Sequence, residues 1–298
     1  MNKRSLYYIN EHDQTCISFS GGRTSAYMLY KILEAHDGKL PKNAIVTFAN
    51  TGKEMPETLD FVRDVGMNWG VDIVWLERFA REAVGDEKVG RTKYMYETKV
   101  VTYETASRKG EPFEALIKAR RYAPNPVARF CTSDLKIRAI KEYLMDECGF
   151  ETPYTAFIGI RGDEQRRAAK MNGTIESGQE RYLPLWIDGV TAKDVGKFWD
   201  ESDFDLGLPN NNGVTDWGNC DLCFLKGTSK RQSIIREQPQ LADWWIDQES
   251  KLSTAVGKAA FFRKDAPSYQ AMKDLAVDQN NIFDNLDIDE SIPCFCGE

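Results

Sequence analysis

Ser20-Gly21-Gly22-Arg23-Thr24-Ser25 is a run suited to meeting an anion. Its glycines let the chain turn tightly and present backbone N–H groups, and its hydroxyls add donors. If the run opens a helix, unpaired N–H groups and the positive dipole end also favour phosphate. No Lys follows the glycines as in a Walker A loop, and the spacing is not G-x-G-x-x-G. The competing reading is a glycine turn with Ser and Thr capping a helix. Two more runs set polar residues behind apolar ones: Asn50-Thr51-Gly52-Lys53-Glu54 and Gly159-Ile160-Arg161-Gly162-Asp163-Glu164. Arg161, Arg166 and Arg167 are planar forks suited to phosphate or sulfate oxygens. Glu54 and Glu164 are candidates to hold Mg2+ or to orient an arginine.

The cysteines are the second chemical signal. Their number, seven, is odd, and the expected compartment is reducing, which argues against a disulfide framework. Cys16 and Cys148 sit among apolar neighbours and read as small core residues. Cys220-Asp221-Leu222-Cys223 is a C-x-x-C flanked by Gly218 and Gly227. The only histidines, His12 and His36, lie far upstream, so a metal site here must be thiolate-rich. Cys131, Cys220 and Cys223 are three candidate ligands, with Cys294 or Cys296 as the fourth. An iron–sulfur cluster, a structural zinc and free or redox-active thiols all remain open on spacing alone.

The elements that must position these groups follow from periodicity. Residues 15–19 form a β-prone run that stops at the glycines, and Ala26, Met28, Leu29, Ile32 and Leu33 then recur at helical spacing. A buried strand is expected over 44–49, a helix from Pro56 and a third strand over 71–76. Strand–helix alternation at this spacing predicts a doubly wound, mainly parallel α/β sheet flanked by helices. Residues 77–126 read as a lid or insertion, 134–147 as a helix, 156–160 as a strand, 182–185 as a short strand and 191–199 as a helix. Past about residue 205 the pattern becomes a helical, cysteine-bearing C-terminal region, with helices over 230–252 and 266–277. The division expected is thus 1–205 and 206–298. The strand ends leading to Ser20, Asn50 and Gly159 share one edge, where ligands sit in such sheets.

The composition, 42% hydrophobic and 29% charged, is that of an ordinary globular chain. No apolar run approaches the roughly 20 residues that span a bilayer. No signal peptide is evident, so a cytoplasmic protein is expected. The net charge of −7 disfavours a long nucleic acid as partner. The stretch Arg108 to Arg121, with Lys109, Lys118 and Arg120, is a candidate basic patch whose ordinary reading is a solvated helix face.

With these residues in view, the sequence resembles a known family. Ser20-Gly21-Gly22-Arg23-Thr24-Ser25 resembles the Ser-Gly-Gly-x-x-Ser loop of N-type ATP pyrophosphatases and PAPS reductases. Asn50-Thr51-Gly52-x-Glu54, Gly159-Ile160-Arg161-x-x-Glu164-x-x-Arg167 and Tyr182-Leu183-Pro184-Leu185 resemble its later motifs. Arg129-Phe130-Cys131-Thr132 with Leu135-Lys136 is similar to a segment of phage-encoded relatives and of DNA-phosphorothioation sulfur proteins. Thr24 stands where many pyrophosphatases have Asp, and Cys294-Phe295-Cys296-Gly297-Glu298 departs from the reductases' Glu-Cys-Gly-x-His end.

The resemblance implies an adenine nucleotide alpha hydrolase-like fold and an adenine nucleotide, either ATP or a PAPS- or APS-like sulfated one. It implies a [4Fe-4S] cluster, as in some relatives, and a sulfur donor or redox partner protein. Candidate nucleotide contacts are Ser20 through Ser25, Asn50, Thr51, Gly52, Glu54, Gly159, Arg161 and Arg167. Candidates for the reaction itself are Cys131, Arg161 and Glu164. The implied activity is sulfur transfer or reduction; the alternatives are a nucleotide sensor and a DNA-modification partner.

Overall fold

The structure, a computed structural model, describes residues 3–83, 94–171, 174–176 and 178–278. Seven strands form one sheet: β1 (Thr15–Ser18), β2 (Ala44–Ala49), β3 (Ile73–Glu82), β4 (Tyr94–Val101), β5 (Tyr154–Ile158), β6 (Ile175–Glu176) and β7 (Gln179–Tyr182). Their order is β4-β3-β2-β1-β5-β7-β6, with β1 parallel to both β2 and β5. The chain winds outward from β1 through β2 to β3, then returns to β5 on the other side of β1. This reversal leaves a crevice at the carboxyl ends of β1 and β5, the switch point where ligands bind in such sheets. The fold is the expected doubly wound α/β sheet.

Helices α1 (Arg23–Ala35) and α2 (Pro56–Trp69) cover one face of the sheet. Ile17 of β1 points into their core with Leu29, Phe48, Phe61 and Trp199. Local signals set their ends. Pro56 supplies a pre-set φ at the first position of α2, and Gly70, at φ 62°, terminates it. Cys16, one residue from Ile17, faces the opposite core with Leu144, Ala156 and Ile158, on the side covered by α4 (Arg138–Asp146) and α5 (Gln165–Met171). Cys148 packs at the margin of that core, so both cysteines serve as expected.

A third core joins α3 (Glu111–Arg120), Phe130 and Leu135 to the C-terminal region. That region contributes Leu222, Phe224 and residues of α8 (Thr228–Glu237), α9 (Ala242–Val256) and α10 (Tyr269–Asp278). Trp245 lies at its centre, fully buried between Phe262, Tyr269 and Trp244. Truncating such a side chain costs about 3–5 kcal/mol. Among the described residues, no helix is long and apolar enough to cross a membrane.

Four local expectations are corrected. Residues 77–126 are not a simple lid: β3 runs on to Glu82, and eight residue pairs tie it antiparallel to edge strand β4 before α3 begins. The charges that hid this strand protect the sheet edge, and the Arg78 guanidinium is held by Glu142 at 2.6 Å. The helix expected over 134–147 begins earlier, as a π-helical turn at Thr132–Ile137. Strand β7 ends at Tyr182, because Pro184 starts the short helix α6 (Pro184–Asp188). Finally, Pro239 splits 230–252 into α8 and α9. Helix α7 (Ala192–Asp200) matches expectation, with a capping box between Thr191 and Asp194.

Candidate functional site

The glycine run turns out of β1 straight into α1, at the switch point. Gly21 adopts φ 81°, and a Cβ there would stand 2.6 Å from Thr58 Cγ2, so conformation and packing both require glycine. Gly22 differs. Its φ of −102° and ψ of 162° suit any residue, and a Cβ would meet only Ser20 Oγ, at 3.6 Å. The open face of Gly22 is therefore not demanded by the fold. Ser25 stiffens the loop: its Oγ accepts from the Ser20 N–H at 3.2 Å and donates to the Gly22 carbonyl at 3.0 Å. Gly159 brings the end of β5 against α1, since a Cβ there would lie 3.0 Å from Ser25 Cα.

This packing delivers Arg161 to the loop, where its Nη1 donates to Thr24 Oγ1 at 3.1 Å. Glu164 accepts the Arg161 backbone N–H at 3.0 Å and forms an ion pair with Arg167. It is a positioning carboxylate already engaged with arginine. Arg166 is exposed. Arg167 is buried, with Nε and Nη2 unpartnered, and Thr58 Oγ1 beneath Gly21 is likewise buried without a partner. Such donors fit an anionic ligand. Ser20 to Thr24, Thr58 and Arg161 line a cleft of ≈ 500 Å³ together with residues 213–215, Gly218 and Asn219.

Arg23 has a role that its motif position did not reveal. Its buried guanidinium grips Asp205 through two nitrogens and donates to the Leu208 carbonyl at 2.6 Å and to Thr215 Oγ1 at 2.7 Å. The side chain thus fastens the far wall of the cleft to the loop. On the opposite face of β1, a second cavity of ≈ 630 Å³ also includes Ser20, and Ser18, Ala49, Ile158, Lys136 and Arg181 line it.

The run after β2 is built as a unit. Asn50 donates to Glu77 at 2.6 Å and accepts the Gly52 N–H at 3.0 Å. Gly52, at φ 78°, packs against Gly110, whose N–H donates to its carbonyl at 2.8 Å. Glu54 accepts from the Thr51 N–H at 2.9 Å and lies 3.5 Å from Lys136 Nζ. Neither Glu54 nor Glu164 stands open to a cation.

The C-x-x-C segment is laid directly on this unit. Cys220 forms a β-bridge with Glu54, and the Asp221 N–H donates to the Lys53 carbonyl at 2.7 Å. A buried Lys53–Asp221 ion pair at 2.7 Å and the Trp245 indole N–H, 2.8 Å from Asp221, lock the register. Thr51 Oγ1 lies 3.5 Å from Cys220 Sγ. Cys131, at the head of the π-helical turn, is close enough to Cys223 for their charges to interact. Lys136 lies near all three thiols and Glu54; burial works against its charge, and the interaction with Glu54, followed by those with the cysteines, outweighs burial and raises its pKa.

Burial pushes Cys131 up to about 12 and raises Cys220 and Cys223, while the ammonium of Lys136 acts in the opposite direction. A metal binding here would have to displace these protons. Among the described residues, no three His, Cys, Asp or Glu are gathered closely enough to hold one ion. Thiolates on one tetrahedral zinc must come within roughly 4 Å of each other, given Zn–S bonds of about 2.3 Å. Cys294 and Cys296 lie outside the described residues.

Sequence reasoning gave Lys136 no role, although it closes a quoted motif. It also passed over Glu77, Asp134 and the Lys53–Asp221 pair. The one available signal was Asp134, a lone acid four residues before Arg138 in a cationic stretch.

The model of the phosphoadenosine phosphosulfate reductase domain matches residues 14–185. The nin region protein ORF290 of Escherichia phage lambda is 33% identical over 214 residues, 72% of this chain and 67% of that protein. A Methanocaldococcus jannaschii protein is 27% identical over 242 residues, 77% of this chain but 40% of its own length. Among solved structures, the U34-tRNA thiolase NcsA from Methanococcus maripaludis, with its [4Fe-4S] cluster, aligns at a TM-score of 0.41 and 14% identity, covering 99% of this chain and 85% of that one. With the glycine loop, the Arg161–Glu164–Arg167 segment and the sheet order all in place, the chain belongs to the phosphoadenosine phosphosulfate reductase domain family.

Proposed function

We propose that this protein is an adenine-nucleotide-dependent enzyme of sulfur chemistry, binding ATP or a sulfated adenine nucleotide at the glycine loop and acting through Cys131, Cys220 and Cys223. The observation that carries the reading is one of place. Asn219 lines the same cleft as Gly22 and Arg161, and the next residue is Cys220. Phosphate or sulfate held there by backbone N–H groups, Thr58 and Arg161 would stand one residue along the chain from Cys220. The nucleoside is assigned to the cavity that shares Ser20, on the opposite face of β1. Donors fixed by packing stabilise charge as it develops, without reorganising.

The soft donor set suits an iron–sulfur cluster, held by Cys131, Cys220 and Cys223 with Cys294 as the candidate fourth ligand. When bound, such a cluster supplies electrons or a position for sulfur. Lys136 balances thiolate charge, and Asp221, fixed by Lys53 and Trp245, holds the C-x-x-C in register.

The test is turnover by anaerobically purified protein, after measuring its iron and acid-labile sulfide, with ATP and PAPS supplied separately. AMP with pyrophosphate marks ATP-driven sulfur transfer; adenosine 3′,5′-bisphosphate with sulfite marks reduction. Either activity should vanish in Cys220→Ser while nucleotide binding persists. Failure to bind either nucleotide, or full turnover by the serine variant, would overturn the reading.

A further inference from the structure

The sheet ends on β4, and among the described residues β3 is the one strand beside it. Its outer row of N–H and C=O groups is a template for a further strand. Two exposed apolar side chains flank that row on opposite faces, Met95 at 62% and Val100 at 59%. Charges lie between them. Glu97 pairs with Arg81 of β3 at 3.1 Å, and both side chains are about half exposed. Lys99 stands over the Phe79 ring at 6.0 Å and meets no carboxylate among the described residues.

Such charges guard an edge against indiscriminate pairing. Here they also select one partner. Opposed residues of an antiparallel ladder exchange both hydrogen bonds or neither. Every second residue of β4 spends its N–H and C=O on β3, so only the alternate set faces outward. A second copy that pairs about a two-fold axis must set outward residues against outward residues. The axis then passes through a residue, not between two.

Two such registers pair nearly the whole of Tyr94–Val101, one centred on Glu97 and one on Thr98. The first opposes the two glutamates. The second sets Glu97 of each copy against the partner's Lys99. It also sets Met95 against the partner's Val101, and Val100 against the partner's Tyr96. Shifts beyond these shorten the ladder, and the one centred on Lys99 opposes the two lysines. Like charges directly opposite destabilise a strand pair, whereas opposite charges and aromatic–β-branched pairs stabilise it.

We infer that β4 is a self-association surface, through which two copies of this chain join edge to edge, antiparallel and centred on Thr98. The contact is isologous, so one change in the sequence alters it twice. Pairing uses up β4 in both copies, and association closes at a dimer. The surface lies apart from the glycine loop, because β3 and β2 stand between β4 and β1.

The experiment is sedimentation velocity on the full chain from about 1 to 100 μM, for wild type and charge variants. Wild type should show a reversible monomer–dimer equilibrium. Glu97→Lys sets cation against cation and Lys99→Glu sets anion against anion, at both symmetry-related pairs. Each should raise the dimer Kd about tenfold or more. The double exchange Glu97→Lys/Lys99→Glu restores opposite charges in the same register and should restore the dimer. Mixing the two single variants in equal amounts should restore it too, since each supplies the charge that the other lacks. Hydrogen exchange of wild type needs no variant: the amides of residues 94–101 should gain protection as concentration rises. A wild type that stays monomeric would overturn the inference, as would a dimer indifferent to both single exchanges. Amides of 94–101 already protected in a monomer would assign the edge to another segment of this chain, and that result also overturns it.

Discussion

Gly21 and Gly22 are adjacent, and the structure separates their duties so cleanly that alanine at each should give opposite results. At Gly21, alanine must hold a left-handed φ of 81°, costing about 1–2 kcal/mol. It must also place Cβ 2.6 Å from Thr58 Cγ2 and 3.1 Å from Phe48, an overpacking worth about 1–3 kcal/mol. The sum, about 2–5 kcal/mol, is a large share of ordinary domain stability. At Gly22 the backbone is extended and the nearest atom, Ser20 Oγ, is 3.6 Å from the new Cβ. Alanine there should change stability by less than about 1 kcal/mol, with reduced unfolded-chain entropy acting in its favour. The same methyl occupies the face from which an anion approaches the N–H groups. Losing one charge-assisted hydrogen bond costs about 1.5–3 kcal/mol, a roughly 10- to 150-fold weaker Kd. Urea titration and calorimetric binding of ATP and PAPS measure both quantities on the same samples. A Gly22→Ala protein that binds both nucleotides at wild-type affinity would falsify the loop assignment. A Gly21→Ala protein as stable as wild type would refute the packing argument.

Three further outcomes are expected. Arg161→Ala should weaken nucleotide binding by about 1–3 kcal/mol with the melting temperature little changed; an unaltered dissociation constant removes Arg161 from the site. Asp205→Ala leaves the buried Arg23 guanidinium without its carboxylate and should cost about 2–3 kcal/mol, less than for a fully enclosed pair because Asp205 is partly open. No loss on denaturant titration would mean that Arg23 is satisfied by Leu208 and Thr215 alone. Burial raises Glu249 to about 6, against the N–H groups of Tyr269 and Phe262, which favour its charge. A raised carboxylate stabilises the fold below its unfolded value, near 4.5, and loses that contribution as pH rises through about 6. Between pH 4.5 and 7.5, wild type should therefore lose about 1–2 kcal/mol more than Glu249→Gln, and parallel pH profiles would contradict this.

Local regularities were legible because short-range physics produces them. The glycine turn, the two-sided burial of β2, Pro56 at the start of α2 and the helix over 191–199 each depend on a few neighbouring residues. Edge strand β4 was not legible, since neither of its faces is apolar: Met95, Glu97 and Lys99 alternate with Tyr94, Tyr96 and Thr98. The π-helical turn at Thr132–Ile137 was missed because one extra residue per turn leaves a helical pattern nearly intact.

The sequence by itself determined that a glycine loop opens a helix after a strand, that the sheet is doubly wound, and that, with both histidines far upstream, the metal-ligand candidates are thiols. Only the tertiary structure decided that Cys131 comes near Cys223, 92 positions further on, with Lys136 close to both and to Cys220 and Glu54. It alone showed that the Arg23 guanidinium fastens the cleft wall through Asp205 and the Leu208 carbonyl. The physical reason is the same in both cases. Which partner a buried charge or thiol finds depends on the order of strands in the sheet and on the core shared by α3 and α9. Those are sums of many non-local contacts, and periodicity within a stretch of chain does not encode them.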